Sequence, residues 1–259
     1  MSKDQFVIAC VESAENAAIV LPWARHFAEC LNHKGLMMLH VSKDDADDSW
    51  LKALDVPYVS MRGSWSTAIE GIPTAFNGIL AVTAVNTAAR RSSLTHPKTL
   101  LHEFKNCKTA YLAVGGHFPA GKAVWPQASL LTMTHRREGK ETLVWASYLA
   151  RFLGSHITIA HPDYRDADLR MRWRNNMRFV DKMFVPFGIN YTNATAFGTD
   201  LKNLEALQPD LLIARTTDAR ERDLFDLLLP LPEYRLLSHP SHTPILFLNP
   251  RDDLYILCD

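Results

Sequence analysis

Side chains able to grip an anion gather at two places in the sequence. Asn86, Arg90, Arg91, Ser92 and Ser93 form one cluster, and Arg215, Thr216, Thr217, Arg220 and Arg222 form the other. A guanidinium clamps phosphate with a two-pronged fork, and hydroxyls add further hydrogen bonds. The same residue types also make solvated loops and helix N-caps, so anion binding and plain loop structure both fit them. Residues 116–122, G-H-F-P-A-G-K, match phosphate-loop spacing, but Ala123 stands where Ser or Thr would meet magnesium. Pro126 also disfavours helix at Trp125, whereas a phosphate loop must open a helix. This stretch therefore reads as a linker.

Other candidate groups lead to bland readings. Arg170, Arg174, Arg178 and Lys182 recur every four residues and share one helical face. Water and scattered acids satisfy such a row as readily as an acidic partner does. His96, His102, His239 and His242 show no convergent four-ligand spacing. Cys10, Cys30, Cys107 and Cys258 form no C-x-x-C pair. No G-x-S-x-G elbow is present. With no catalytic constellation and no metal set, the expectation is a protein that is not an enzyme.

Composition narrows the partners. Twenty-eight basic and 28 acidic residues give a formal net charge of +0 over 259 residues, which argues against a broad nucleic-acid surface. No apolar run approaches the roughly 20 residues of a membrane span, and the N-terminal Met-Ser-Lys-Asp-Gln has no apolar signal region. The expected location is the cytoplasm, with neither membrane nor nucleic acid as partner.

Positioning these side chains requires elements, and their pattern occurs twice. L-P-W-A-R-H-F-A-E-C-L around Trp23 is echoed by L-V-W-A-S-Y-L-A-R-F-L around Trp145. The two W-A pairs lie 122 positions apart (145 − 23), a spacing that suggests two copies of one domain. The first copy reads as strands at 6–11, 36–41, 58–61, 79–85 and 109–114. Helices lie between them at 17–31, 49–54, 67–77 and 99–105. The second reads as strands at 129–134, 157–160, 191–197, 210–214 and 244–248, with helices at 139–153, 166–184, 201–207 and 222–229. Strand alternating with helix predicts parallel sheets with helices on both faces. The predicted domains are 1–117 and 128–259, joined by a Pro- and Gly-containing linker at 118–127.

Three segments resemble the universal stress protein family. Val11-Glu12-Ser13-Ala14-Glu15-Asn16 resembles its V-D-x-S-x-x turn, Leu39-His40-Val41 its L-x-H-V strand, and Pro244-Ile245-Leu246-Phe247-Leu248 its closing P-V-L-V-V strand. The resemblance spans nearly the whole chain as a tandem pair. It implies two open, doubly wound, five-stranded parallel sheets of order 3-2-1-4-5, with any ligand at the carboxyl ends of strands one and four. Nucleotide-binding members carry G-x2-G-x9-G-[ST] after strand four, where glycines let backbone N–H groups approach phosphate. Here residues 79–114 and 199–259 contain no glycine. The acid after strand one survives only as Glu12, since the second copy has Thr134-His135.

The expectation is therefore that the usual ATP site is absent from both copies and that no cofactor is held. The resemblance implies an internal pseudo-dimer through the fifth strands, allows a further homodimer, and points to regulatory docking on a protein partner in a stress response. Two rivals stay open. One is a nucleotide or anion binder using Glu12, Asn86, Arg90, Arg91, Ser92, Arg215, Thr216, Thr217 and Arg220. The other is an adenine-nucleotide hydrolase-like enzyme, whose glycine-rich loop should follow strand one, where residues 12–18 have no glycine.

Overall fold

Apolar, β-branched runs alternate with amphipathic segments, and the backbone follows that alternation. The structure is a computed structural model that describes residues 5–42, 49–119, 125–133, 140–195, 206–217, 232–239 and 243–250. In chain order the first half runs β1 (Phe6–Val11), α1 (Ala14–Cys30), β2 (Gly35–Ser42), α2 (Ser49–Lys52), β3 (Tyr58–Arg62), α3 (Trp65–Glu70), β4 (Gly78–Ala84), α4 (Pro97–Phe104) and β5 (Ala110–Val114). Then follow β6 (Ala128–Thr132), α5 (Lys140–Leu153), β7 (His156–His161), α6 (Ala167–Phe184), a 3-10 turn at Val185–Phe187, β8 (Tyr191–Thr195) and β9 (Leu211–Arg215). The last described elements are α7 (Pro232–Ser238) and β10 (Ile245–Leu248).

Two compact units emerge. The first comprises residues 1–121 together with 233–249; the second comprises 122–232 and 250–259. In the first unit the strands run in the order β3-β2-β1-β4-β5, all parallel. The central strands β1, β4 and β5 are buried almost end to end, as strands covered on both faces must be. Edge strand β3 has no buried residue. Helix α1 presents Ala17, Val20, Leu21, Ala24, Phe27 and Ala28 to the core, the stripe that its three-and-four spacing predicts.

Strand β10 belongs to this first unit as well and lies antiparallel to β5, with Leu246 opposite Leu112. The sequence pattern reads this segment as the fifth strand of the second repeat, and in the structure it packs on β5. The cause is side-chain fit: Phe247 stacks on Tyr111 with ring centroids 5.3 Å apart, and both are buried. Asn249 then donates its side-chain amide to the carbonyls of Phe104 (2.6 Å) and Cys107 (2.8 Å), which satisfies acceptors at the end of α4.

The second unit holds β6, β7, β8 and β9, with β6 parallel to both β7 and β9, and β7 parallel to β8. Its long helix α6 starts at Asp166, whose carboxylate accepts the Leu169 amide at 2.9 Å. The predicted helix at 67–77 shortens to α3 in the first unit, since Gly71 and Pro73 follow directly. The predicted helix at 222–229 and nearly all of that at 201–207 lie outside the described residues.

Candidate functional site

In the first unit β1 is flanked by β2 on one side and β4 on the other, so the chain leaves these two strands in opposite directions. A crevice at their carboxyl ends is the geometric consequence. Glu12 follows β1 directly. One of its carboxylate oxygens accepts the backbone N–H of Leu94 at 2.8 Å, and the other accepts the Ser93 hydroxyl. Its own amide donates to the Asn16 side chain at 3.1 Å, while the N-cap Ser13 accepts the Asn16 amide at 3.2 Å. Glu12 thus ties the first turn of α1 to the loop between β4 and α4.

That loop closes on itself. The amides of Ala88 and Ala89 go to the side-chain and backbone oxygens of Asn86, and those of Ser93 and His96 go to the carbonyls of Arg90 and Ser93. Leu94 donates to Glu12, and Thr95 donates to the Ser93 hydroxyl at 3.2 Å. Thr99 from α4 pins the Arg91 carbonyl, and the His96 imidazole caps α4 by accepting the Lys98 amide at 3.2 Å. The amides of Ala88, Ala89, Ser93, Leu94, Thr95 and His96 are thus bonded within the loop or to Glu12.

Beside the loop lies a cleft of about 690 Å³, lined by Glu12, Ser93, Arg90 and Ser92, by His40 and Trp50, and by Trp65 and Glu103. His40 is buried; its Nδ1–H donates to the Val11 carbonyl at 2.8 Å. The Trp50 ring meets the imidazole edge-on at 5.4 Å between centroids. Glu103 accepts the Ser66 hydroxyl at 2.5 Å. Arg90 and Ser92 are exposed, whereas Glu12 and Glu103 are half-buried.

The structure brings Glu12, Arg90 and Ser92 to one cleft and leaves Asn86 and Arg91 off its wall. Asn86 is exposed, its side chain accepting from Ala88. In the second unit Arg215 is half-buried at the end of β9, with Thr216 and Thr217 directly after it. Arg220 and Arg222, the Thr134-His135 pair and His242 fall outside the described residues. Trp50, Trp65 and Glu103 escape sequence reading. The available signal is Glu103 four residues after Thr99, on the same face of α4.

Remaining candidates settle into structure. In the 116–122 stretch, Gly116 accepts the Trp23 indole N–H at 2.9 Å, and the Phe118 ring packs edge-on against Trp23. The α6 residues Arg170, Arg174, Arg178 and Lys182 are all exposed. His96 is spent as a cap and His102 is exposed; no group of metal-ligating side chains occurs among the described residues. Burial holds the Cys10 thiol well above the ordinary range and pushes Cys107 up to about 11, which makes both poor nucleophiles.

These features define an open, doubly wound α/β protein with a cleft where its strand order reverses. No protein-family model matches the chain, and no curated protein matches its sequence. Among solved structures, a universal stress protein from Archaeoglobus fulgidus DSM 4304 superposes with a TM-score of 0.63 at 12% identity, over 96% of this chain and 97% of that one. A protein of unknown function from Pseudomonas aeruginosa PAO1 gives 0.62 at 12% identity, over 99% and 96%. The chain therefore has the fold of universal stress proteins over nearly its whole length. No helix among the described residues is long and apolar enough to cross a membrane.

Proposed function

We propose that the chain is a tandem universal stress protein that acts as a non-catalytic regulator in the cytoplasm, docking a protein partner during a stress response. Its two repeats join as an internal pseudo-dimer, and the usual ATP site is lost from both. The observation that carries this reading is Glu12 reaching across the switch point to hold Ser93 and Leu94 of the loop after β4. A phosphate entering there would have to break those bonds and would meet a carboxylate. The fold likeness supports the family assignment, and the absence of glycine at 79–114 supports loss of the site.

A second reading, an anion binder, draws on Arg90 and Ser92 at the cleft. Calorimetric titration of the full chain with ATP and ADP, with and without magnesium, separates the two. The expected result is no binding heat at millimolar nucleotide. Micromolar binding that disappears in Arg90→Ala or Arg215→Ala would mean that side chains have replaced the glycine cradle, and would overturn the regulator reading. The hydrolase-like alternative ranks last, since residues 12–18 offer no glycine-rich loop.

A further inference from the structure

We infer that the cleft between β1 and the β4–α4 loop binds a small organic ammonium ion. This rests on the functional reading above in one respect, that ATP does not occupy the cleft. At about 690 Å³ the cleft has room for a metabolite-sized ligand. Its lining decides the charge of that ligand. Among the described residues, the titratable groups facing it are Glu12 after β1, His40 on β2, Arg90 on the loop and Glu103 on α4. Two carboxylates there face a single guanidinium.

The two acids outweigh the arginine by position as well as number. Glu12 and Glu103 are half-buried and accept hydrogen bonds only from neutral donors, namely Ser93, Leu94 and Ser66. Among the described residues neither carboxylate has an ion-pair partner. Each carboxylate also retains acceptor sites, since an ionised one can take about four hydrogen bonds. Arg90 is exposed, where water and salt screen it. Trp50 and Trp65 also line the cleft, and the indole is the ring that attracts a cation most strongly. Tryptophans beside two carboxylates suit an ammonium group better than a phosphate.

The test is calorimetric titration of the full chain with choline chloride and, separately, with putrescine dihydrochloride, at matched ionic strength. Saturable binding of either amine is expected. It should weaken about tenfold or more in Glu103→Gln, which removes a charged acceptor, and also in Trp50→Leu. Arg90→Ala should leave amine binding unchanged or tighter. No saturable heat with either amine would overturn the inference, as would binding that survives Glu103→Gln and Trp50→Leu but fails in Arg90→Ala. ATP titrated into the same protein keeps the two readings apart. Silence from amines and ATP alike sinks the ammonium inference alone, whereas ATP binding through Arg90 sinks the regulator reading itself.

Discussion

Position 12 carries glutamate where the V-D-x-S turn it resembles has aspartate, and the extra methylene lengthens the reach of the carboxylate across the switch point. Both oxygens are used, one on the Ser93 hydroxyl and one on the Leu94 amide. Hydrogen bonds to an ionised acceptor contribute more than neutral ones, about 1.5–3 kcal/mol each before solvent competition. Because Glu12 is half-buried, the pair together should stabilise the first unit by about 2 kcal/mol. Glu12→Ala is expected to lower the unfolding free energy by that amount in urea titration. Glu12→Asp, one methylene short, should lose at least one of the two bonds. Ser93→Ala combined with Glu12→Ala should cost less than the sum of the singles, because the two share a contact. A Glu12→Ala variant as stable as the parent chain would show that the loop holds its shape without the carboxylate.

Elements show where sequence reading succeeds and where it stops. Strands β1, β2, β4 and β5 are legible because a strand covered on both faces must be a continuous apolar run, as Val7–Val11 and Leu80–Val82 are. Helix α4 begins earlier than its apolar spacing suggests, since His96 caps it and Pro97 occupies its first turn. The turn chemistry of the 85–96 loop is harder to foresee. Arg90 and Ser92 are recognisable as polar loop residues, but only the fold reveals that Trp50, Trp65 and Glu103 share a wall with them. Those three sit on separate short elements with no common motif. Gly78, which opens β4, marks another constraint invisible in one sequence. A Cβ there would lie 2.4 Å from a methyl of Ile72, 2.8 Å from Ile8 and 3.1 Å from the Ile72 carbonyl. Gly78→Ala should therefore destabilise the protein by about 1–3 kcal/mol, the usual cost of overpacking. Thermal and urea unfolding measure it, and an unchanged midpoint would mean that the α3–β4 turn yields freely.

At the scale of the molecule, chain order and spatial grouping diverge. The first unit is built from residues 1–121 but also takes in 233–249, after the chain has passed through the second unit. Strand pairing, hydrogen bonds and ring contacts bind that late segment. Strand β10 pairs with β5, Asn249 donates to carbonyls at the end of α4, and the Lys98 ammonium lies over the Tyr234 ring at 5.4 Å from its centroid. Such pairing of residues more than 130 positions apart (Ala113 with Ile245) raises contact order and slows folding. It also makes a prediction about cooperativity. Strands that open together exchange their amide hydrogens with one common free energy. Native-state hydrogen exchange should therefore give Leu246 and Phe247 the same opening free energy as Tyr111 and Leu112. Asn249→Ala, which strands two buried carbonyls, should lower all four by a similar amount, about 2 kcal/mol. If β10 amides instead exchange with far smaller protection while β5 stays closed, residues 233–249 are a loosely applied edge. In that case the first unit folds to its full stability from residues 1–121 alone.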